Sequence, residues 1–120
     1  LFPYTTLFRS PPGRGATATI AAVDSLSICG KTGTAQNPHG DDHSVFICFA
    51  PKDNPKIAVA VYMENAGFGA TWAAPTASLL VEQYLNGEIS PKRKWLEDRI
   101  VNGFLLDKVP AWKRLQERKQ

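Results

Sequence analysis

The sequence predicts an α+β fold in which antiparallel strands carry a helix packed across them. Three short strand-like segments, at 26–35, 44–50 and 57–65, are separated by polar or proline-containing connections. This arrangement is typical of consecutive antiparallel strands. The segment 71–87 that follows has apolar residues at helical spacing and a glycine at its end, as an amphipathic helix does.

The three strand segments carry different information. The first, "LSICGKTGTA", is rich in strand-forming residues, and its Gly30 and Gly33 indicate close backbone approach. The second, "SVFICFA", is continuously apolar, which predicts a strand buried on both faces. The third, "IAVAVYMEN", follows the short connection "PKDNPK", so the second and third strands are predicted to form a hairpin.

The first helix has recognisable ends. Thr71 is its predicted N-cap, Pro75 fits in the first turn, and Asn86-Gly87 stops it. We expect one face of this helix to pack on the sheet. That predicted face consists of Trp72, Thr76, Leu79, Leu80, Gln83 and Tyr84.

A second helix is predicted from similar signals. Ser90 caps it, Pro91 takes the first position, and Asn102-Gly103 ends it. Its predicted shared face consists of Trp95, Leu96, Arg99 and Ile100. This helix opens a basic helical C-terminal extension, residues 90–120.

The charge is concentrated in that extension. Residues 90–120 carry nine Lys and Arg against four Asp and Glu, whereas residues 1–89 carry five against seven. Such an extension is typical of a solvated helical face, although it could also hold an acidic partner or a membrane surface. No aromatic side chains are interleaved along a basic groove, so nucleic-acid binding is not predicted.

The composition is that of an ordinary globular protein. With 120 residues, 43% hydrophobic and 21% charged, the chain amounts to one domain or a piece of one. It contains no run of about 18 apolar residues, the length that crosses a membrane. Cys29 and Cys48 lie in apolar strand segments, which predicts small buried side chains rather than a disulfide framework.

The first ten residues, "LFPYTTLFRS", reverse-translate into a widely used sequencing-library adapter. They are therefore predicted to be a cloning or assembly scar, to be excluded from fold reasoning. The alternative is a short strand, since Phe2, Tyr4 and Thr6 fall on one face with a period of two. The rest, residues 11–89 and the basic extension, is predicted to be a fragment of a longer protein.

The stretch "GKTGTAQNPHG", residues 30–40, could in principle bind phosphate. A phosphate-binding loop needs a glycine five positions before Gly30, and that position is Ser25. The loop should also run directly into a helix, whose N-terminus meets the anion. Because "TAQNPHG" contains the turn-forming pairs Asn-Pro and His-Gly, no helix follows the motif directly, and this interpretation is not favoured.

A carboxylate-binding strand fits the same residues better. The Lys31 ammonium and the hydroxyls of Thr32 and Thr34 are donors that a terminal carboxylate requires. Gly33 has no side chain, so an extended peptide could lie against the strand edge and pair with it. Lys-Thr-Gly on a strand is also the third motif of the serine acyl-transferases that penicillins inhibit.

The surrounding segments strengthen this interpretation. "GKTGTAQN", "DHSVFICFAPKDNPKIAVAVYMEN" and "WAAPTASLLVEQYLNGEI" closely resemble class B penicillin-binding proteins, and among them the elongation-type penicillin-binding protein 2. The resemblance runs from about Gly15 to about Leu106. It implies a partial β-lactamase/transpeptidase-like fold, with C-terminal antiparallel strands packed by a C-terminal helix.

For the parent protein, the resemblance implies a serine-type D,D-transpeptidase that cross-links peptidoglycan during cell elongation. The implied ligands are peptidoglycan stem peptides and β-lactams, and no cofactor is implied. The implied partners are membrane proteins of the elongation complex, at the periplasmic face of the inner membrane. A related β-lactamase would carry a hydrolytic base, and the region after Gly33 favours the transpeptidase.

The resemblance also implies the site residues. Lys31, Thr32, Gly33 and Thr34 match the family's motif as substrate-binding residues, and the backbone N–H of Thr34 is the implied oxyanion donor. The family's nucleophile is the serine of a Ser-x-x-Lys, which this sequence lacks, and Ser-x-Asn is absent too. The residues three positions after its serines are Gly13, Ile28, Gly30, Ile47, Val81 and Arg93. The chain alone is therefore predicted to be inactive.

Two histidines offer a further candidate site. His39 and His43 bracket Asp41 and Asp42, and such side chains can bind metals. A short loop of this composition is more often a polar turn, so no metal site is predicted. His43 is instead predicted to anchor the loop near the rim of the active site.

Two classes of function remain open. The first is an inactive fragment of a transpeptidase. The second is a non-catalytic module that binds peptidoglycan peptides or a scaffold protein. They differ in whether Ser-x-x-Lys and Ser-x-Asn precede Gly15 in the native gene. One sheet face and one strand edge are predicted to be exposed in the chain alone, so we expect it to be unstable or to aggregate.

Overall fold

The structure is a computed structural model that describes residues 19–103 and residue 105. These residues form an antiparallel sheet with helices, which confirms the predicted α+β class. The predicted scar and residues 106–120 of the predicted extension lie outside the described residues. The sheet has the order β1-β2-β3, with β1 (Cys29–Ala35), β2 (His43–Ala50) and β3 (Ile57–Met63). The helices are α1 (Ala73–Asn86) and α2 (Lys94–Val101), with short 3-10 turns at Thr19–Ala21 and Pro91–Arg93.

The strands follow the sequence prediction closely, with shifts at their ends. β1 begins at Cys29 rather than at 26, because Leu26 belongs to a turn in which its N–H donates to the Val23 carbonyl at 3.1 Å. β3 ends at Met63 rather than at 65, because Asn65 adopts a left-handed backbone with φ of 55°. β2 and β3 are antiparallel neighbours, as the predicted hairpin requires.

The prediction that β2 is buried on both faces is wrong. Its residues alternate: Phe46 and Cys48 are buried, whereas Ile47 is 55% exposed. The reason is that α1 packs on only one face of the sheet in the described part of the chain. We name the face of Phe46 and Cys48 the core face, and the face of Ile47 the open face. Facing residues of paired strands lie on the same face of the sheet. The β1–β2 register therefore assigns each residue of β1 to the core face or to the open face.

α1 packs on the core face, but not through the residues that its pattern predicts. Leu79 is buried as expected, whereas Leu80 is 51% and Tyr84 65% exposed, and Gln83 is exposed as well. The buried residues of the helix are Ala73, Ala74, Pro75, Ala77, Ser78, Leu79, Val81 and Glu82. Most of these side chains are small, so the helix lies close to the sheet. The larger side chains at positions 80 and 84 point away.

The ends of α1 match the prediction in part. The N-cap is Trp72, one residue after the predicted Thr71, and no side chain caps it. Pro75 lies in the first turn. Gly87 ends the helix with φ of 81°, the left-handed conformation that favours glycine at this position.

The second helix begins as a 3-10 turn that continues into α2. Ser90 and Pro91 begin the turn as predicted, although the Ser90 side chain makes no capping hydrogen bond. α2 ends at Val101, with Asn102 as the predicted stop at its C-cap. Leu96 is 1% exposed and belongs to the packing face, whereas Trp95 is 59% exposed. The prediction is therefore wrong for Trp95.

A buried ion pair joins this segment to α1. Glu82 is 1% exposed, and its carboxylate pairs with the Arg93 guanidinium, whose side chain is 12% exposed. Arg93 Nη2 also donates to Ser78 Oγ at 2.6 Å, and the Ser90 N–H donates to Glu82 Oε1 at 3.1 Å. These partners satisfy both buried charges, which would otherwise be costly.

The two cysteines are buried and unbridged, as predicted. Desolvation by burial raises the pKa of the Cys48 thiol to about 11, and burial also raises the pKa of Cys29. Among residues 19–103, none of the helices has the length and apolar character that crossing a bilayer requires.

Candidate functional site

β1 contains all the residues that the sequence singles out for ligand binding. Lys31, Thr32, Gly33 and Thr34 occupy its central positions. In the described part of the chain, β1 pairs only with β2, so it is an edge strand. The unpaired edge of a strand presents backbone N–H and C=O groups to which an extended peptide can bind.

The side chains of these residues alternate between the two faces of the sheet. Lys31 and Gly33 pair with Ile47 and Val45 on the open face, whereas Thr32 and Thr34 belong to the core face. The four residues therefore do not converge on one face. A ligand can reach both sets only along the unpaired edge of β1, where the two faces meet.

The polar groups along this edge are hydrogen-bond donors. Lys31 is exposed, and its Nζ donates to the Thr32 carbonyl at 2.8 Å. Thr34 is also exposed, and Thr32 is half-buried. An ammonium and two hydroxyls along one strand edge are donors chemically suited to an anionic ligand such as a carboxylate.

Gly33 keeps the open face of the strand flat. A Cβ atom at this position would lie 3.5 Å from Val45 Cβ, an ordinary van der Waals contact. Packing within the described residues therefore does not exclude a side chain here. The flat surface suits the close approach of another backbone.

Two loops meet at the end of β1: the β1–β2 loop (residues 36–42) and the β3–α1 loop (residues 64–72). Asn37 Nδ2 donates to Asn65 Oδ1 at 2.7 Å, which joins the two loops directly. The Gly67 N–H donates to the Asp42 carbonyl at 2.7 Å, and the Asn37 N–H donates to Asp42 Oδ1 at 3.1 Å. The pairing of Asn37 with Asn65 was not predicted from the sequence. Their pairing spans 28 positions, so local patterns give no signal for it.

His43 contacts the β3–α1 loop, whereas the sequence predicts that it anchors the loop preceding β2. Its Nδ1 accepts a hydrogen bond from the Asn65 N–H at 3.0 Å, and its ring lies 5.3 Å from the Tyr62 ring between centroids. His39 contributes its backbone N–H to Asn37 Oδ1 at 3.0 Å. Among residues 19–103, no three His, Cys, Asp or Glu side chains are placed to hold a metal ion together.

Comparison with known proteins identifies the family. The penicillin-binding protein transpeptidase domain matches residues 7–82. Peptidoglycan D,D-transpeptidase MrdA of Haemophilus influenzae is 35% identical over 83 residues, 69% of this chain and 12% of that protein. Peptidoglycan D,D-transpeptidase PbpA of Mycobacterium tuberculosis is 40% identical over 78 residues, covering 56% of this chain and 16% of that protein.

A solved structure agrees with these matches. Penicillin-binding protein A from M. tuberculosis, in its ceftriaxone acyl-enzyme complex, is 36% identical to this chain with a TM-score of 0.51. The likeness covers 54% of this chain and 17% of that one.

The fold is thus that of part of a transpeptidase domain. The chain belongs to the penicillin-binding protein transpeptidase family, which confirms the resemblance to class B enzymes of the penicillin-binding protein 2 type. It spans between 12% and 17% of the length of the proteins compared above. The family match begins at residue 7, inside the stretch assigned to a scar, whose origin stays a prediction.

Proposed function

We propose that this chain is part of a serine-type peptidoglycan D,D-transpeptidase and that β1 is its substrate-binding strand. The observation that carries the proposal is the placement of Lys31, Thr32, Gly33 and Thr34 along an edge strand. That edge is unpaired among the described residues, and the chain belongs to a transpeptidase family.

Substrate binding follows from the chemistry of the strand. The terminal carboxylate of a peptidoglycan stem peptide binds the Lys31 ammonium and the hydroxyls of Thr32 and Thr34. The peptide backbone lies along the edge of β1, where the absence of a side chain at Gly33 allows close approach. β-Lactams carry a comparable carboxylate and bind at the same strand.

Acyl transfer then requires a nucleophile and an oxyanion donor. A serine hydroxyl attacks the substrate carbonyl, the terminal residue leaves, and the acyl group passes to an amine of a second stem peptide. The Thr34 backbone N–H donates to the oxyanion that forms during attack. The serine belongs to a Ser-x-x-Lys motif that is absent from these 120 residues. The chain alone is therefore inactive.

The setting of the parent protein follows from the same proposal. It acts at the periplasmic face of the inner membrane, without a cofactor, and its partners are membrane proteins of the elongation complex. The second candidate function is a non-catalytic module that binds peptidoglycan peptides or a scaffold protein. The donors of Lys31, Thr32 and Thr34 would serve such a module equally well, because carboxylate binding needs no nucleophile.

Recovery of the native gene upstream of the Pro11 codon distinguishes the two functions. We expect an open reading frame that encodes Ser-x-x-Lys and Ser-x-Asn. The full-length protein should be covalently labelled by a fluorescent penicillin, and replacement of its motif serine by alanine should abolish labelling. The 120-residue chain should not be labelled. A genomic frame that includes "LFPYTTLFRS" and lacks both motifs would instead support the binding module.

A further inference from the structure

The β3–α1 loop lies directly against the substrate strand at one glycine. A Cβ atom added to Gly69 would lie 2.5 Å from the Gly33 carbonyl oxygen and 3.2 Å from its nitrogen, and would also collide with the Val45 carbonyl oxygen. Real Cβ atoms do not approach backbone this closely, so only glycine fits. We propose that Gly69 is a positioning residue, through which this loop holds the Gly33–Thr34 backbone where the ligand binds. This inference rests on the proposed function of β1.

The loop supports the strand from the core face. Ser44, which is fully buried, donates through Oγ to the Phe68 carbonyl at 3.0 Å and accepts from the Ala73 N–H at 3.1 Å. Ser44 pairs with Thr34 in the sheet. The Ser44 hydroxyl, which lies directly opposite Thr34, therefore holds both Phe68 and Ala73, the residues that flank the segment containing Gly69.

A second attachment holds the start of the loop. Asn65 accepts from Asn37 Nδ2 through its side chain and donates through its backbone to His43 Nδ1. Asn37 lies in the β1–β2 loop, just after β1, and His43 is the first residue of β2. The β3–α1 loop is therefore attached to both ends of the connection between β1 and β2.

These attachments matter because β1 is an edge strand. Among the described residues, it has β2 as its only sheet neighbour, so contacts from the loop add to the restraint on its backbone. Catalytic geometry is sensitive to displacements of about 1 Å, which can cost about 100-fold in rate. A Cβ at position 69 requires the loop or the strand to move.

Two glycines of the same loop provide a matched pair of variants. Gly69→Ala places a methyl group against the strand backbone. Gly67→Ala places it in open space, because nothing lies within 4 Å, but strains the backbone, since Gly67 has φ of 77°. Gly67→Ala therefore reports loop destabilisation without contact with the strand.

Both variants should be made in the full-length protein that carries this chain. The measurements are the rate of acylation by a fluorescent penicillin, hydrogen exchange of the peptide covering residues 29–35, and the melting temperature. We expect Gly69→Ala to slow acylation by roughly 10-fold or more and to accelerate exchange in 29–35. Gly67→Ala should lower the melting temperature while leaving acylation within about 2-fold. Equal effects of the two variants on acylation and exchange would overturn the proposal.

Asn65 provides a milder pair if Gly69→Ala fails to fold. Asn65→Gly tolerates the left-handed backbone of this position but removes the acceptor for Asn37, whereas Asn65→Asp retains an acceptor oxygen. We expect slower acylation and faster exchange in 29–35 for Asn65→Gly, with rescue by Asn65→Asp. The absence of any difference between them would contradict the loop's positioning role.

Acylation and hydrogen exchange together distinguish a failure of the proposed function from a failure of the positioning role. A wild-type full-length protein that is not acylated would overturn the proposed function. Hydrogen exchange of residues 29–35 would still decide whether Gly69 positions the strand. Acylated protein with unchanged exchange in Gly69→Ala would leave the proposed function intact and overturn the positioning role.

Discussion

The β1 region and the helix region of this molecule are held together by different interactions. The β1 region, consisting of β1 and its two neighbouring loops, is held by hydrogen bonds among half-buried polar groups and by glycine contacts. The helix region, α1 with the segment from Ser90 to Val101, is held by small buried side chains and one buried ion pair. Buried packing and the accessible strand edge therefore lie in separate parts of the fold.

This division has a physical reason. A site that binds a peptide must leave donors and a strand edge accessible, and accessible groups contribute little burial. Hydrogen bonds between loops then restrain the strand without covering it. Changes in the helix region should therefore lower stability, whereas changes at Lys31 to Thr34 should mainly lower ligand binding.

The largest loss of stability is expected for Arg93→Ala. It would leave the Glu82 carboxylate buried without its charged partner, so we expect the free energy of unfolding to fall by about 3–5 kcal/mol. Lys94→Ala is the matched control, because the Lys94 side chain is 61% exposed in its pair with Glu97. That change should cost less than about 1 kcal/mol. Urea denaturation of the full-length protein provides the measurement, and similar losses for the two variants would contradict the comparison.

Adjacent leucines of α1 test the packing face next. Leu79 is 6% exposed and Leu80 is 51% exposed. Leu79→Ala should lower the free energy of unfolding by about 2–5 kcal/mol, because it opens a cavity. Leu80→Ala should cost clearly less. A larger loss at Leu80, measured by the same denaturation, would mean that the face predicted from the sequence is the buried one after all.

Two glycines of β1 sharpen the comparison within a single strand. A Cβ at Gly30 would lie 2.5 Å from Phe46 Cζ and 2.8 Å from Cys48 Cβ, whereas at Gly33 it meets Val45 at 3.5 Å. Gly30→Ala should therefore cost about 1–3 kcal/mol of stability through overpacking. Gly33→Ala should leave stability nearly unchanged and slow acylation by a β-lactam. Stability and acylation rate should be measured on both variants. A loss of stability in Gly33→Ala but not in Gly30→Ala would contradict these assignments.

The smallest expected effect concerns a thiol. Because the pKa of Cys48 is raised from 9.0 to about 11, its thiolate fraction near neutral pH is about 100-fold below that of an ordinary thiol. Stability is therefore retained below pH 9 and falls as the pH rises towards 11, since the unfolded chain loses this proton first. Alkylation of native protein at pH 8 should be slow at Cys48 and rapid after denaturation. Fast alkylation of the native protein would contradict its burial.

The sequence allows the strands to be predicted well, because apolar runs and turn residues are local signals. The helix boundary at Gly87 is equally local. The buried face of α1 is not predictable in this way, because close packing on a sheet selects Ala73, Ala74 and Ala77 over the more hydrophobic Leu80. The prediction that β2 is buried on both faces is wrong for a related reason. A continuous apolar run does not reveal which face of the sheet a helix covers.

In the candidate site, too, local patterns are predictable from the sequence and contacts between distant residues are not. Lys31 to Thr34 can be identified from their order in the sequence, because a motif is a local pattern. Asn65 and Gly69 cannot, because their partners lie at Asn37 and Gly33, far away in the chain. Contacts of this kind become visible only when the strands and loops are placed together.

The most direct measurement of the central claim is the acylation rate of full-length protein carrying Lys31→Ala, with Lys56→Ala as the control. Both lysines are exposed, but only Lys31 lies in β1. Loss of a charged hydrogen bond to the ligand carboxylate should slow acylation by a fluorescent penicillin about 10- to 100-fold in Lys31→Ala. Lys56→Ala should match the wild type, and both variants should keep the wild-type melting temperature. Acylation of Lys31→Ala at the wild-type rate would contradict the assignment of β1 as the substrate-binding strand.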